Sequence, residues 1–285
     1  MSFNTVSRFA SAYNEGRRWM TSWRKSPSQI STAGIWFDLS MSPGNPVPQY
    51  YASAPYVAVQ MLRSDQGGIP VAQSVTPSVQ VLRNTMQMTA TSTALPMPMI
   101  LCDYLLYYPF IDEGTTDQQD LTNTATLPRY TDGKGVQVMA VSVAGRTGGQ
   151  SFFITYTNQD GTAGRISQTV IMTTAAANGN IITSATATAG AAGPFIPLQA
   201  GDSGVRSIQS VTMLGTDVGL FTLVLVKPLS QVQIRGIDAP VENDHFITKA
   251  SAPIIYDNAY LNFICLPQGS LAATTLLGII ETAWD

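Results

Sequence analysis

Charge is scarce in this sequence. Only 12% of its 285 residues are Asp, Glu, Lys or Arg, against roughly 25% in an ordinary soluble domain. The net charge is −3, so a general electrostatic affinity for nucleic acid is not indicated and no direct nucleic-acid partner is expected. Histidine occurs once, as His245, and cysteine twice, as Cys102 and Cys265. Neither cysteine has CxxC spacing or a histidine nearby, so no zinc site is expected. Both lie in apolar, strand-like runs (MILCDYLLYY and LNFICLPQ). They read as buried free thiols, with a disulfide between them left open. No apolar run approaches the ~18 residues of a membrane span, so no membrane partner is expected. The N-terminus is basic without the apolar core of a signal peptide, and no Asn-x-Ser/Thr sequon occurs. The expectation is a protein made and used without export. No phosphate loop or dinucleotide fingerprint appears, and no cofactor is expected.

What is there is apolar and uncharged polar sequence. Hydrophobic residues make up 45% of the chain, enough for a real core. A surface so poor in charge gives little mutual repulsion between molecules. It is kept soluble either by hydration of Ser, Thr, Asn and Gln or by burial against partners in an assembly, and the second is favoured. The charge is also uneven. Residues 1–25 hold Arg8, Arg17, Arg18, Arg24 and Lys25 against Glu15 alone, while the rest of the chain holds 10 basic and 17 acidic residues. A cationic arm on an anionic body points to docking between copies or onto an acidic neighbour, a solvated helix face being the alternative.

The first segment, SFNTVSRFASAYNEGRRWMTSWRK, has a helical period: Val6, Phe9, Tyr13, Met20 and Trp23 recur at three- and four-residue spacing. Gly16 interrupts it and Ser26-Pro27 ends it. Residues 31–66 carry four prolines between Pro43 and Pro55, interleaved with Trp36, Phe37, Tyr50, Tyr51 and Tyr56. Proline disfavours regular ladders and favours extended chain. The reading is an arm (residues 1–66) that wraps a surface, against a long loop packed on its own domain. From residue 67 onward the period is two, as in VQVLRNTMQMTAT and VQVMAVSVAG, with turn signals every 8–15 residues. Asp160-Gly161 marks a hairpin. No helical pattern alternates with the strands. The expected fold is all-β, a β-sandwich or jelly roll over residues 67–285 with an N-terminal helical and extended arm. The small-residue stretch SATATAGAAG (184–193) is a tight strand or a loop.

GDSGV, at 201–205, is the sharpest motif, since Gly-Asp-Ser-Gly surrounds the nucleophile of chymotrypsin-like proteases. A serine triad needs a histidine and an acid. The one histidine follows Ser203 in the chain, which excludes the chymotrypsin and subtilisin orders. The remaining order (Ser203, Asp238 or Asp244, His245) belongs to enzymes with Gly-x-Ser-x-Gly at a strand-to-helix elbow. Here position 205 is Val and strands flank the motif. The expectation is a tight turn and no catalytic residue, hence no enzyme. His245, among the acids of ENDHFITK, is read as a turn residue rather than a metal ligand or pH sensor. The acidic loop DEGTTDQQD (112–120) does not match an EF-hand, and solvated carboxylates are favoured over calcium. In CDYLLYYPF, alternation places the tyrosines on both faces of a strand, as core or interface.

Four blocks, GIWFDLSMSPGNPVPQYYAS, LPRYTDGKGVQVMAVS, PFIPLQAGDSGVRSIQSVTM and GLFTLVLVKPLS, resemble segments of virion structural proteins of tailed bacteriophages. The resemblance implies a capsid decoration or minor head protein of the virion. It would bind the major capsid protein or other virion proteins and associate with itself, a trimer being one such closed form. The residues expected to make the arm's contacts are Arg8, Phe9, Tyr13, Arg17, Arg18, Trp19, Trp23, Arg24, Trp36, Phe37, Tyr50 and Tyr51. A tail or baseplate protein, the main shell protein and a carbohydrate-binding sandwich are the alternatives.

Overall fold

The computed structural model describes residues 3, 5–72, 79–89, 93–183, 193–249 and 252–285. In chain order these form helix α1 (Val6–Asn14) and then strands β1 (Arg18–Lys25), β2 (Phe37–Asp38), β3 (Gly44–Asn45), β4 (Val59–Gln60), β5 (Val79–Thr89), β6 (Met97–Asp112), β7 (Gln119–Asp120), β8 (Gln137–Ser142) and β9 (Ser151–Asn158). There follow β10 (Arg165–Ile166), β11 (Val170–Ile171), β12 (Val205–Met213), β13 (Leu220–Ile234), β14 (Val241–Asp244), β15 (Ile254–Tyr256), β16 (Leu261–Cys265) and β17 (Leu276–Ala283). The fold is all-β, as the period-two pattern predicts. Most of the stretch 184–193 lies outside the described residues.

The strands make three antiparallel sheets. Sheet I has the order β14-β5-β17-β1-β3, with β15 also on β5. Sheet II runs β2-β16-β6-β13-β8, with β4 on β6, and sheet III runs β10-β9-β12-β7, with β11 on β9. Sheet II is shared by two sandwiches. Its long strands β6 and β13 pair along most of their length, with three register shifts. Such bulges re-aim side chains along one strand. At one end of β6, Met97, Met99 and Leu101 join Trp23, Leu82 and Ile280 of sheet I in one apolar cluster. At the other end, Leu105, Tyr108 and Ile111 join Phe152, Ile154, Ile208 and Val211 of sheet III. The opposite face of sheet II, with Cys102, Tyr104, Tyr107, Val224 and Val226, is covered by Tyr51, Met61 and Ile181. Sheet II is therefore buried on both faces, which is why β6 and β13 read as near-continuous apolar runs. Both cysteines are free and buried here, and burial pushes both thiols up.

The N-terminal segment differs from its helical reading. Helix α1 starts at Thr5, whose hydroxyl accepts the Arg8 amide (3.2 Å), and stops before Gly16, at φ +79°. Met20 and Trp23, which the three-to-four period groups with Phe9 and Tyr13, lie in a strand. RWMTSWRK pairs with β17 along all eight residues. Once the left-handed Gly16 ends the helix, the alternation of RWMTSWRK decides. Trp23 turns inward over Gly278, where a Cβ would meet its indole at 2.8 Å, and packs on Phe263 (ring centroids 4.7 Å apart).

The proline-rich segment wraps a surface of its own chain, the outer face of sheet II. Buried Asp38 ties it down. Its carboxylate accepts Tyr51 Oη (2.5 Å), Tyr104 Oη (2.7 Å), and the amide and hydroxyl of Ser40 (2.8 Å each). Burial raises its pKa against those four bonds. Lys25 reaches from β1 to the carbonyls of Ser42 (3.1 Å) and Pro46 (2.8 Å), and burial lowers its pKa to about 8.

Candidate functional site

The GDSG stretch is a turn leading into β12. Gly201 sits at φ +90°, and a Cβ on Gly204 would lie 2.0 Å from the Gly133 carbonyl, so the second glycine is required by close backbone approach. The amides of Ser203 (2.9 Å) and Gly204 (3.2 Å) donate to Gln159 Oε1. Asp202 accepts Tyr156 Oη (2.5 Å), Asn158 Nδ2 (2.7 Å) and Arg165 Nε (2.9 Å). The bond from Arg165 is foremost in lowering its pKa to about 2. The carboxylate holds the turn to β9 and β10.

The histidine belongs to the other sandwich. His245 Nε2 lies 3.0 Å from Ser230 Oγ, in the wall of a cleft of about 570 Å³ lined also by Ile100, Phe195 and Lys249. The distance is that of a nucleophile and its base, but the surroundings are not. Ser230 Oγ also takes the Asn243 amide (3.1 Å). His245 Nδ1 is buried with no hydrogen-bond partner among the described residues, whereas a triad places an acid there. Neighbouring Asp244 faces the amides of Phe246 (2.9 Å) and Ile247 (3.1 Å) and the Arg83 guanidinium. Burial lowers the pKa of His245. The pair is a polar link between β13 and the end of β14.

In the acidic loop, Glu113 is fully buried and bound twice by Arg146 (2.7 and 2.8 Å). Asp112 accepts the Gly114 amide (2.8 Å) and Asp120 the Gln118 amide (2.7 Å). Among the described residues no three His, Cys, Asp or Glu side chains are grouped to hold a metal.

The twelve expected arm residues divide into two groups. Trp23, Phe37 and Tyr51 are buried in the chain's own clusters, and Trp36 is half-buried against one of them. These fill the body rather than face a partner. Of the others, Tyr50 lies in the proline-rich segment beside Tyr51, and the remaining seven lie at or near the rim and outer face of sheet I. Phe9 stacks on Phe246 (4.1 Å) beneath the Arg83 guanidinium (5.5 Å). Tyr13 donates to Glu281 (2.6 Å), and Arg18 lies over the Tyr13 ring (4.4 Å). Arg8 pairs with Asp285 (2.6 Å), as does Arg17 at longer range (3.9 Å). Trp19, Arg24 and Tyr50 are exposed. The cationic segment thus docks on an acidic patch, Glu281 and Asp285, of its own chain.

Sequence reasoning missed a further surface. On sheet I the buried face mixes apolar Trp23, Leu276 and Ile280 with polar Thr85, Gln87 and Thr89 of β5 and Asn243 of β14. The opposite, outward row carries Met86 and Met88 of β5 beside Ile279 and Leu277 of β17, all half-buried, with exposed Met20 of β1. Alternation in VQVLRNTMQMT shows which residues share a face, and it does not say which face is inside.

No protein-family model and no curated protein matches the sequence. Among solved structures, one chain of "Structure of infectious bursal disease virus Gx strain" aligns at 10% identity over 93% of this chain and 80% of that one, with a TM-score of 0.16, a likeness too small to carry an argument.

Proposed function

We propose that this chain is a structural component of a tailed-phage virion, a capsid decoration or minor head protein that works by binding and not by turnover. The observation that carries the reading is the state of the N-terminal helix. It is nine residues long, only Ala12 is fully buried, and Val6 is 80% exposed. It is clipped to the body by one aromatic stack and surface ion pairs, beyond a glycine with open space around it. Helices this short draw their stability from what they pack on. Here the helix packs little of itself, and it presents Val6 outward as the part that contacts the virion. The low charge of the chain and its sequence resemblance to virion proteins support the same reading.

The experiment is incorporation. Deleting residues 2–14 leaves β1 and the sandwich in place, so the β-sheet circular dichroism is retained and only the contribution of the helix is lost. The prediction is that purified particles lose the truncated protein while retaining the full-length one. Equal incorporation of both removes the helix from the contact, and absence of the full-length chain from purified particles refutes the virion reading. Gold-labelled particles assign head or tail.

A further inference from the structure

We infer that the outward face of sheet I is a self-association surface, on which two copies of this chain pack face to face about a two-fold axis. This rests on the reading of the chain as an assembling structural protein and names the surface and the partner.

The outer face of an antiparallel sheet in a sandwich is ordinarily polar. Here four apolar side chains sit together at its centre, with Glu281 and Asn84 in the next row and Arg24 and Glu242 at the sides. Cross-strand registers place Met86 against Ile279 and Met88 against Leu277 in two adjacent rows. All four are half-buried and keep part of their surface open, with exposed Met20 one row along. Helix α1 lies beyond them, at the Glu281 and Phe246 end. Contiguous apolar area left open on a body whose interior is already filled marks an interaction site. Methionines suit such a surface because they adapt to what covers them.

Charge decides the occupant. The row through Ile279 and Met86 ends at Glu242, exposed on edge strand β14 and bonded by the Asn84 amide, and the row through Leu277 and Met88 reaches Arg24, exposed on β1 towards the other side of the sheet, with Asn45 of β3 beyond it. Among the described residues Arg24 has no carboxylate within ion-pair distance. A two-fold axis running along the strands superposes the β1 side of one copy on the β14 side of the other. Arg24 then faces Glu242 of the second copy, one cross-strand row along and within reach of two long side chains, and the pairing occurs twice. A face with a cation at one side, a carboxylate at the other and apolar residues between is complementary to itself, as an isologous contact requires.

Sedimentation equilibrium on the full chain tests this. The wild type is expected to run at twice the monomer mass and to dissociate on dilution. Ile279→Asp should weaken the dimer by more than tenfold. Because that change also touches a strand, the exposed charges give a second test that leaves the core alone. Arg24→Glu and Glu242→Arg should each weaken the dimer about tenfold, and the double reversal should restore it. A wild type that stays monomeric at every concentration overturns the inference. So does a dimer indifferent to all three substitutions, or charge reversals without rescue. The virion reading fails separately. A dimer absent from particles refutes that reading and leaves the surface standing. A monomer found in particles does the opposite.

Discussion

The two sandwiches that share sheet II are built on opposite plans. Between sheets II and III the interior is apolar, with Phe152 against Phe221 (5.2 Å) at its centre. The polar tips that enter it are satisfied: Tyr108 donates to Asn123 (2.7 Å) and Tyr156 to Asp202. Between sheets I and II the interior has apolar members such as Trp23 and Phe263, but β5 presents Thr85, Gln87 and Thr89 to it. Both amide atoms of Gln87, Trp23 Nε1 and His245 Nδ1 are buried there with no partner among the described residues. A buried polar group without a partner costs about 1–3 kcal/mol. Sheet I therefore gives up stability on its inner face and displays apolar side chains on its outer one. The difference teaches that burial is spread unevenly: one sandwich has its apolar interior filled and its polar tips paired, and the other leaves polar groups unpaired inside, as the proposal of an interface on sheet I would have it. Burial of the outer row contributes ~25 cal/mol per Å² only when a partner covers it, less the costs of association.

The largest test of this contrast cuts into the apolar sandwich. Phe221→Ala should lower unfolding free energy by about 3–5 kcal/mol in urea denaturation, because the ring is fully buried and the cavity cannot fill. Gln87→Met, of similar shape in the other sandwich, should do the reverse and stabilise by about 1 kcal/mol, since it removes an unpartnered amide from the interior. A Gln87→Met protein less stable than wild type would show that the polar row is satisfied in solution and would dissolve the contrast.

Acid should act on the two halves in different windows. Burial lowers the folded pKa of His245 below its ordinary 6.5. The unfolded chain takes up that proton first, so the contribution is present above pH 6.5 and is lost as pH falls below it. Lys249 and Arg83 press the same way and Asp244 opposes them. Thermal melts of wild type and His245→Gln should differ in slope below pH 6.5 and run parallel above it. The smallest effect belongs to sheet III. Asp202, held at about 2 chiefly by Arg165, contributes stability above pH 3.8 that disappears as pH falls towards 2. Asp202→Asn should flatten the stability profile in that window. An unchanged profile would mean that the turn is not held by charge.

Much of the II–III sandwich is legible in the sequence. Asp160-Gly161 marks the turn between β9 and β10, with Gly161 at φ +82°, and the GDSG glycines announce the turn before β12, since local chemistry fixes local backbone. Sheet I is harder to read. Phe9, Tyr13, Met20 and Trp23 fit one helical stripe, and only Gly16 and the pairing with β17, some 260 residues away in the chain, split them between helix and strand. Aromatics among prolines suggest a groove but not whose groove it is, and the bonds from Tyr51 and Tyr104 to Asp38 join residues far apart in sequence. The buried pairs Arg146–Glu113 and Arg129–Asp103 (2.7 Å) leave no periodic trace. The outward face of sheet I was half legible, because alternation groups its residues but cannot orient them.

Hydrogen exchange by mass spectrometry at low and high protein concentration tests the division of labour most directly. The account predicts that amides of β1, β5 and β17 exchange more slowly at high concentration, while those of β9 and β12 keep one rate throughout. Equal rates at both concentrations in every strand, or protection confined to sheet III, would contradict it.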